Sequence, residues 1–302
     1  MEKYHVGEIV RYLRKENKMT QEELADGICS PVTISRIESG TQMPSDRIIN
    51  QILERLGSDV YQTANIVRVG NHTTIDKNIY SIGRMIEEGK FDIASKQLMQ
   101  IKEEKLDNRS KQYLVLLRAS IILQTGDGNL AEIIEQIRQA IELTKRDFNF
   151  SCFKKVPLTV REANLLNVLC VAYYRNERLE EALSLAKELR EALIFRKENF
   201  KNNQELLINV LINLSQMLEG KEHFKEALKI CEEAIEISMD SKYQIMFSEL
   251  HFFKAKLLYK NGHQEESLQL FKVIYPYIKL QKKAAFISLI ESYVWDNFQI
   301  KL

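Results

Sequence analysis

The chain has 302 residues, 45% of them hydrophobic and 28% charged, with only 11 glycines and 4 prolines. That composition excludes a disordered or collagen-like chain and leaves few places to break helices. The formal net charge is +1, and residues 1–60 carry eight Lys/Arg against ten Asp/Glu, so a nucleic-acid partner cannot be argued from charge totals. In chain order, Val6, Ile9, Val10 and Leu13 predict a first helix. Thr20 and Glu23 have capping-box spacing and open a short second helix with Leu24, Ala25 and Ile28 on its apolar face. Ser30-Pro31 opens a third helix. Ser is a preferred N-cap, and Pro at the first position lacks only an N–H that would be unpaired anyway. Gly40 ends that helix in a left-handed conformation. A fourth starts at Pro44-Ser45-Asp46, presents Ile48, Ile49, Ile52, Leu53 and Leu56, and stops before Gly57. Glu22, Glu23, Asp26 and Asp46 are expected to cap or start helices, where the helix dipole favours an acid.

Two short capped helices joined by a tight turn have the layout of a helix-turn-helix. The run Met19-Thr20-Gln21-Glu22-Glu23-Leu24-Ala25, followed by Ile34-Ser35-Arg36-Ile37-Glu38-Ser39-Gly40 and Pro44-Ser45, resembles the phage-repressor (XRE-type) DNA-binding domain. The resemblance implies a recognition helix over 31–39 whose groove-facing positions are Pro31, Val32, Thr33 and Arg36. Gln21 would contact the DNA backbone and brace that helix. Arg36 can grip guanine O6 and N7 in a fork, and Val32 suits a thymine methyl. Pro31 offers no side-chain hydrogen bond, which shifts weight to shape readout. Lys18 and the backbone amides of 39–42, Ser39 and Gln42 among them, are phosphate candidates. Arg14 is expected to pair structurally with Glu38. Cys29, in the turn before the recognition helix, is either a small packed residue or a redox-sensitive thiol.

The rest of the chain repeats itself. Gly89-Lys90-Phe91-Asp92-Ile93-Ala94 recurs around Ala182, Ala227 and Ser267, with a degenerate copy around Gly128-Asn129-Leu130 that places Ile133 at the small position. Each copy is a helix stop, a turn, and a new helix with a small residue that lets neighbouring helices approach. This is the pattern of a helix–turn–helix solenoid resembling tetratricopeptide repeats, with an irregular period of 39 to 49 residues. The tail, 284–302, carries Phe286, Leu289, Ile290, Tyr293, Val294 and Phe298 on one side and reads as a capping helix. The expected fold is all-α: a lambda-repressor-like bundle over 1–65, a linker over 66–78, and a tetratricopeptide-like sensor and dimerisation domain over 79–302.

That combination resembles the Rgg/PlcR/PrgX group of peptide-pheromone receptors. The resemblance implies a quorum-sensing regulator: a homodimer on operator DNA, controlled by a short signalling peptide on the concave face of its repeats. In such repeats the first helix of each pair lines that face at fixed offsets from the small residue. Those offsets select Arg118; Asn164, Asn167, Val171 and Tyr174; Asn209, Asn213 and Gln216; and Phe252, Phe253 and Lys256. Carboxamides both donate and accept, which suits a peptide backbone, while Arg118 or Lys256 suits a carboxylate. The same amides also serve simply to solvate an exposed face.

Two other functions compete. The repeats of a DNA-binding protein can dock a folded partner, and some peptide-regulated repeat proteins act as enzymes. No paired carboxylates with a base, nucleophile set, phosphate loop or metal cluster stands out, and His5, His72, His223, His251 and His263 are isolated. No cofactor and no metal are expected. The cysteines at 29, 152, 170 and 231 lack metal or disulfide spacing. Apolar stretches such as 166–174 are too short for a membrane span, and the first residues show no signal segment, so a cytoplasmic setting is expected.

Overall fold

The structure, a computed structural model, describes residues 6–56, 74–103, 106–195, 204–240, 246–281 and 284–302. Every regular element among them is a helix. The chain divides into two compact units, 1–203 and 204–302.

The first unit begins with the four-helix head: α1 (Val6–Glu16), α2 (Gln21–Ala25), α3 (Pro31–Glu38) and α4 (Asp46–Arg55). The capping box is present in full, with the Glu23 amide donating to Thr20 Oγ1 at 3.1 Å and the Thr20 amide to Glu23 Oε2 at 2.9 Å. Ser30 caps α3 and Ser45 caps α4, each accepting from the amide three residues on. Gly40 has φ +71°, the left-handed stop that the sequence predicts. Val10, Leu24, Ile34, Ile37, Ile52 and Leu53 form the fully buried centre, each side chain contributing roughly 1.5–3 kcal/mol on burial. Asp26 departs from expectation. It lies at the C-terminal end of α2 rather than at a helix start, so its carboxylate serves another purpose.

Three helix pairs complete the first unit: α5 (Thr74–Glu87) with α6 (Phe91–Met99), α7 (Asn108–Thr125) with α8 (Leu130–Glu142), and α9 (Val160–Arg175) with α10 (Leu179–Phe195). α5 starts inside the stretch expected to be linker. Residues 66–73 of that linker, and Gly57, lie outside the described residues. The second pair is out of step with the others. Gly126, the left-handed residue ending α7, lies seven residues before Ile133, whereas Glu177, Glu222, Gly262 and Gly89 lie five before their small residues. The fully buried Ala119 confirms the shift: it precedes Ile133 by fourteen residues, whereas the buried Cys170, Ser215 and Ala255 precede their partners by twelve.

The second unit holds α11 (Gln204–Gly220) with α12 (Phe224–Asp240), α13 (Phe247–Lys260) with α14 (Gln264–Leu280), and the closing helix α15 (Ala284–Phe298). Small residues let the paired helices touch, and a hydroxyl then answers a carbonyl across the contact. Ser215 on α11 donates to the Ala227 carbonyl at 2.6 Å, and Ser267 on α14 donates to the Ala255 carbonyl at 2.7 Å. Serine and alanine have exchanged places between the two pairs, which is why Ser267 satisfies a position that elsewhere takes alanine. α15 packs Phe286, Ile290, Tyr293, Val294 and Phe298 against α13 and α14, but Leu289 is turned outward and half exposed, against expectation.

Within the first unit the head meets the repeats through charged groups. Glu54 on α4 pairs with Arg109 on α7 at 2.7 Å and with Arg161 on α9 at 3.2 Å. Asp26 pairs with Lys145, just beyond α8, at 2.8 Å. Burial holds Lys145 below the ordinary lysine pKa, while the charges of Glu162 and Asp26 act in the opposite direction.

Candidate DNA interface and ligand face

Helix α3, the recognition helix that the sequence leads one to expect, is fixed from behind and open in front. Behind it, Arg14 Nε and Nη2 fork onto the two Glu38 oxygens at 2.5 and 2.9 Å, and Arg14 Nη1 donates to the Met19 carbonyl at 2.7 Å. Gln21 Nε2 adds a third bond to Glu38 at 2.9 Å, which is the bracing role expected of it. Burial pushes the Glu38 pKa up, but the hydrogen bonds from Arg14 and Gln21 and the charges of Arg14 and Arg11 outweigh it and leave it below the ordinary value.

In front, Pro31, Val32 and Arg36 are exposed, and Arg36 forms no ion pair among the described residues. Thr33 is half-buried, and its hydroxyl lies 2.9 Å from that of Ser30, so it belongs to the helix cap first. Lys18 is exposed at a left-handed position, φ 51°, closing α1. The expected phosphate-binding amides are a correction. The N–H groups of Ser39, Gly40, Thr41 and Gln42 already donate to the Ser35, Ile37 and Arg36 carbonyls at 2.9–3.2 Å, leaving none for a phosphate. Only the side chains of Ser39 and Gln42 remain as candidates there. Burial pushes the Cys29 thiol up in pKa, partly opposed by Arg55, which disfavours a reactive thiolate.

On α9 of the first unit, Asn164, Asn167 and Val171 are half-buried and Tyr174 is exposed. Asn164 Nδ2 donates to its own helix's Val160 carbonyl at 2.9 Å, which fixes the amide. Arg118 is not on the equivalent face of α7. The two extra turn residues move the register by two, a rotation of about 200°, so Leu116 takes the place equivalent to Asn167. Arg118 instead pairs with Glu103 at 2.5 Å and lines a groove of about 440 Å³ with Leu98, Ile122, Asn129 and Gln136, between α6 and α8.

In the second unit, Asn209 and Asn213 on α11 are half-buried and Gln216 is exposed. On α13, Phe253 is 7% exposed and belongs to the core, which corrects its assignment as a ligand contact. Phe252 stacks edge-on with Phe271, Phe286 and Tyr293 at 5.4–6.0 Å, so most of it also serves packing. Lys256 faces Glu219 at 3.7 Å, and Lys260 holds the same carboxylate at 2.9 Å. Lys256 is therefore answered within the chain rather than waiting for a carboxylate. Tyr293 nearby is pushed up to about 12, by burial first and then by Tyr259 and Glu219.

Among the described residues no group of His, Cys, Asp and Glu is arranged to hold a metal, and no helix is long and apolar enough to cross a membrane. No curated protein matches the chain. Similar folds are found in PlcR of Bacillus thuringiensis, solved in complex with the peptide PapR7 and DNA (18% identity, 95% of this chain and 98% of that one, TM-score 0.60). The SHP pheromone receptor Rgg2 of Streptococcus dysgalactiae is similar as well (16% identity, 96% and 99%, TM-score 0.52). Residues 10–61 match the helix-turn-helix family. Residues 91–293, about two thirds of the chain, match the RNPP family C-terminal domain, and the chain belongs to the RNPP family.

Proposed function

We propose that the chain is a quorum-sensing transcription regulator whose head, residues 1–65, binds double-stranded operator DNA and whose repeats, 79–302, respond to a short signalling peptide. It acts in the cytoplasm as a homodimer, because one recognition helix buries too little surface for specific affinity and paired heads read half-sites roughly 34 Å apart. The reading rests on Arg36: a forked cation, without an ion pair among the described residues, on the exposed face of a helix whose opposite face buries Ile34 and Ile37 and is held at Glu38 by Arg14 and Gln21. The family assignment supports a regulator rather than an enzyme. The PlcR structure, which contains both a peptide and DNA, supports the pair of ligands.

Arg36→Ala is expected to relax sequence preference, whereas Lys18→Ala weakens binding about equally on all sequences and flattens its salt dependence. Electrophoretic mobility shifts on specific and random duplexes distinguish them. Equal losses on both duplexes for Arg36→Ala remove it as a base reader.

For the sensor, Asn164 on α9 and Asn209 on α11 are the amides we assign to peptide backbone, each with its neighbours Asn167, Val171 and Tyr174, or Asn213 and Gln216. Asn164→Ala and Asn209→Ala should each cost about 1–3 kcal/mol of peptide binding where a ligand group is left unpaired, and leave DNA binding of the ligand-free protein unchanged. Calorimetric titration with short synthetic linear peptides reads the loss. Wild-type affinity in both variants moves the peptide elsewhere.

A further inference from the structure

We infer that Glu54 fixes the orientation of the DNA-binding head within the first unit, and that α9 passes a change at its amide-bearing face to the head through Arg161. The second part rests on the peptide reading above; the first does not.

Glu54 lies one residue from the end of α4 and divides its carboxylate between two helices. One oxygen faces Arg109 on α7 and the other Arg161 on α9. The three side chains are only 11%, 19% and 12% exposed, so the carboxylate is the shared counterion of two guanidinium groups largely withdrawn from water. Arg161 is further pinned by donating to the Arg109 carbonyl at 3.1 Å and by lying 4.4 Å over the Tyr113 ring. Beside it, Arg55 is 2% exposed and donates to the Glu23 and Asp26 carbonyls, while Lys145, its side chain 4% exposed, holds the Asp26 carboxylate. Among the described residues Arg55 Nε has no partner, and Arg55 lines a cavity of about 20 Å³, enough for a single water. At Gly27 the backbones themselves meet: an added Cβ would stand 2.8 Å from the Thr144 carbonyl oxygen.

The contacts that hold the head are thus directional and charged, with a site for water among them. Such a joint has discrete arrangements, since each ion pair is either made or exchanged for hydration, unlike an apolar seam that slides. Its position on α9 matters equally. Arg161 and Asn164 are three residues apart, neighbours on one helix surface. A ligand that rotates or shifts α9 therefore acts on the Glu54 contact with nothing in between. Val32 and Arg36 take no part in these contacts, so the joint sets where the recognition helix points without covering it.

The test uses the full chain with Cys152→Ser and spin labels at Lys15→Cys on α1 and Ser184→Cys on α10, both exposed sites. Pulsed dipolar spectroscopy should give one narrow distance distribution with Glu54 present and a broad or shifted one for Glu54→Gln, at unchanged helicity by circular dichroism. If Glu54→Gln does not fold, Glu54→Asp decides: it keeps the charge but cannot reach both guanidinium groups, and should broaden the distribution likewise. A narrow, unshifted distribution in the folded variant overturns the proposal. The relay is read separately, as the change that short synthetic peptides cause in DNA affinity. That change, typically 5–150-fold for coupled sites, should fall towards one in Arg161→Gln while peptide affinity persists. Full coupling in Arg161→Gln overturns the relay. Peptides without effect on the parent chain overturn the functional reading instead, and the distance measurement still judges Glu54.

Discussion

Replacing Arg14 by alanine should destabilise the head by about 3–5 kcal/mol, as much as truncating a fully buried Leu or Ile of its core. The wild-type pair is 12% and 5% exposed, and Glu38 receives three hydrogen bonds, two of them from Arg14. Truncation leaves a carboxylate in the core with only Gln21 to answer it, and it also frees the Met19 carbonyl that ends the first turn. Arg14→Lys should rescue little, because an ammonium cannot occupy both oxygens and the carbonyl in one plane. The pH dependence has a definite sign. The Glu38 pKa is lowered in the folded state, so its stabilisation is present above the ordinary carboxylate value near 4.5 and is lost as the pH falls through the lower folded value. Thermal unfolding of the full chain, with hydrogen exchange across α1 to α3, should show the loss at pH 7 and a weaker acid dependence in Arg14→Ala. An unchanged transition shows that the pair does not hold the head together.

Gly7→Ala is expected to be comparably damaging although it adds a single methyl. Alanine is favoured over glycine by about 1 kcal/mol in a helix interior and by less at Gly7, the second residue of α1, so propensity alone predicts no loss. The packing reverses the sign. A Cβ at Gly7 would lie 1.9 Å from the Ile37 carbonyl oxygen and 2.9 Å from its carbon, atoms of the recognition-helix backbone that have no rotamer to escape through. Relief requires α1 and α3 to separate by more than 1 Å. Overpacking of this kind costs about 1–3 kcal/mol and more where backbone must move. Because the displaced element carries Arg36, specific DNA binding should fall with stability. A melting temperature at or above wild type with unchanged DNA affinity contradicts the close approach.

What was legible in the sequence was local or carried by a motif. Thr20 with Glu23, Ser30-Pro31 and Gly40 act within a few residues, so spacing alone placed them, and the family resemblance supplied the long-range pair Arg14–Glu38. What escaped depended on features that spacing does not encode. Two additional residues in one turn rotated Arg118 away from the face on which a fixed offset had put it. A one-residue difference on α13 separates the core side chain Phe253 from its neighbour Phe252. The amides of 39–42 looked available, although the left-handed stop at Gly40 itself turns those N–H groups back onto the Arg36 and Ile37 carbonyls of the last helical turn. The joint at Glu54 was invisible: its partners Arg109 and Arg161 lie two and three helix pairs away, and no local pattern marks any of the three.

Whether the exposed face of α3 reads DNA sequence is decided by selection from random-sequence duplexes with the full chain. Two related half-sites should be enriched, with centres about one helical turn, or a multiple of it, apart. Arg36→Ala should lose preference at one base pair of each half-site while the spacing persists. Recovery of no common sequence, or of the same sequence with equal preference by Arg36→Ala, would contradict that readout.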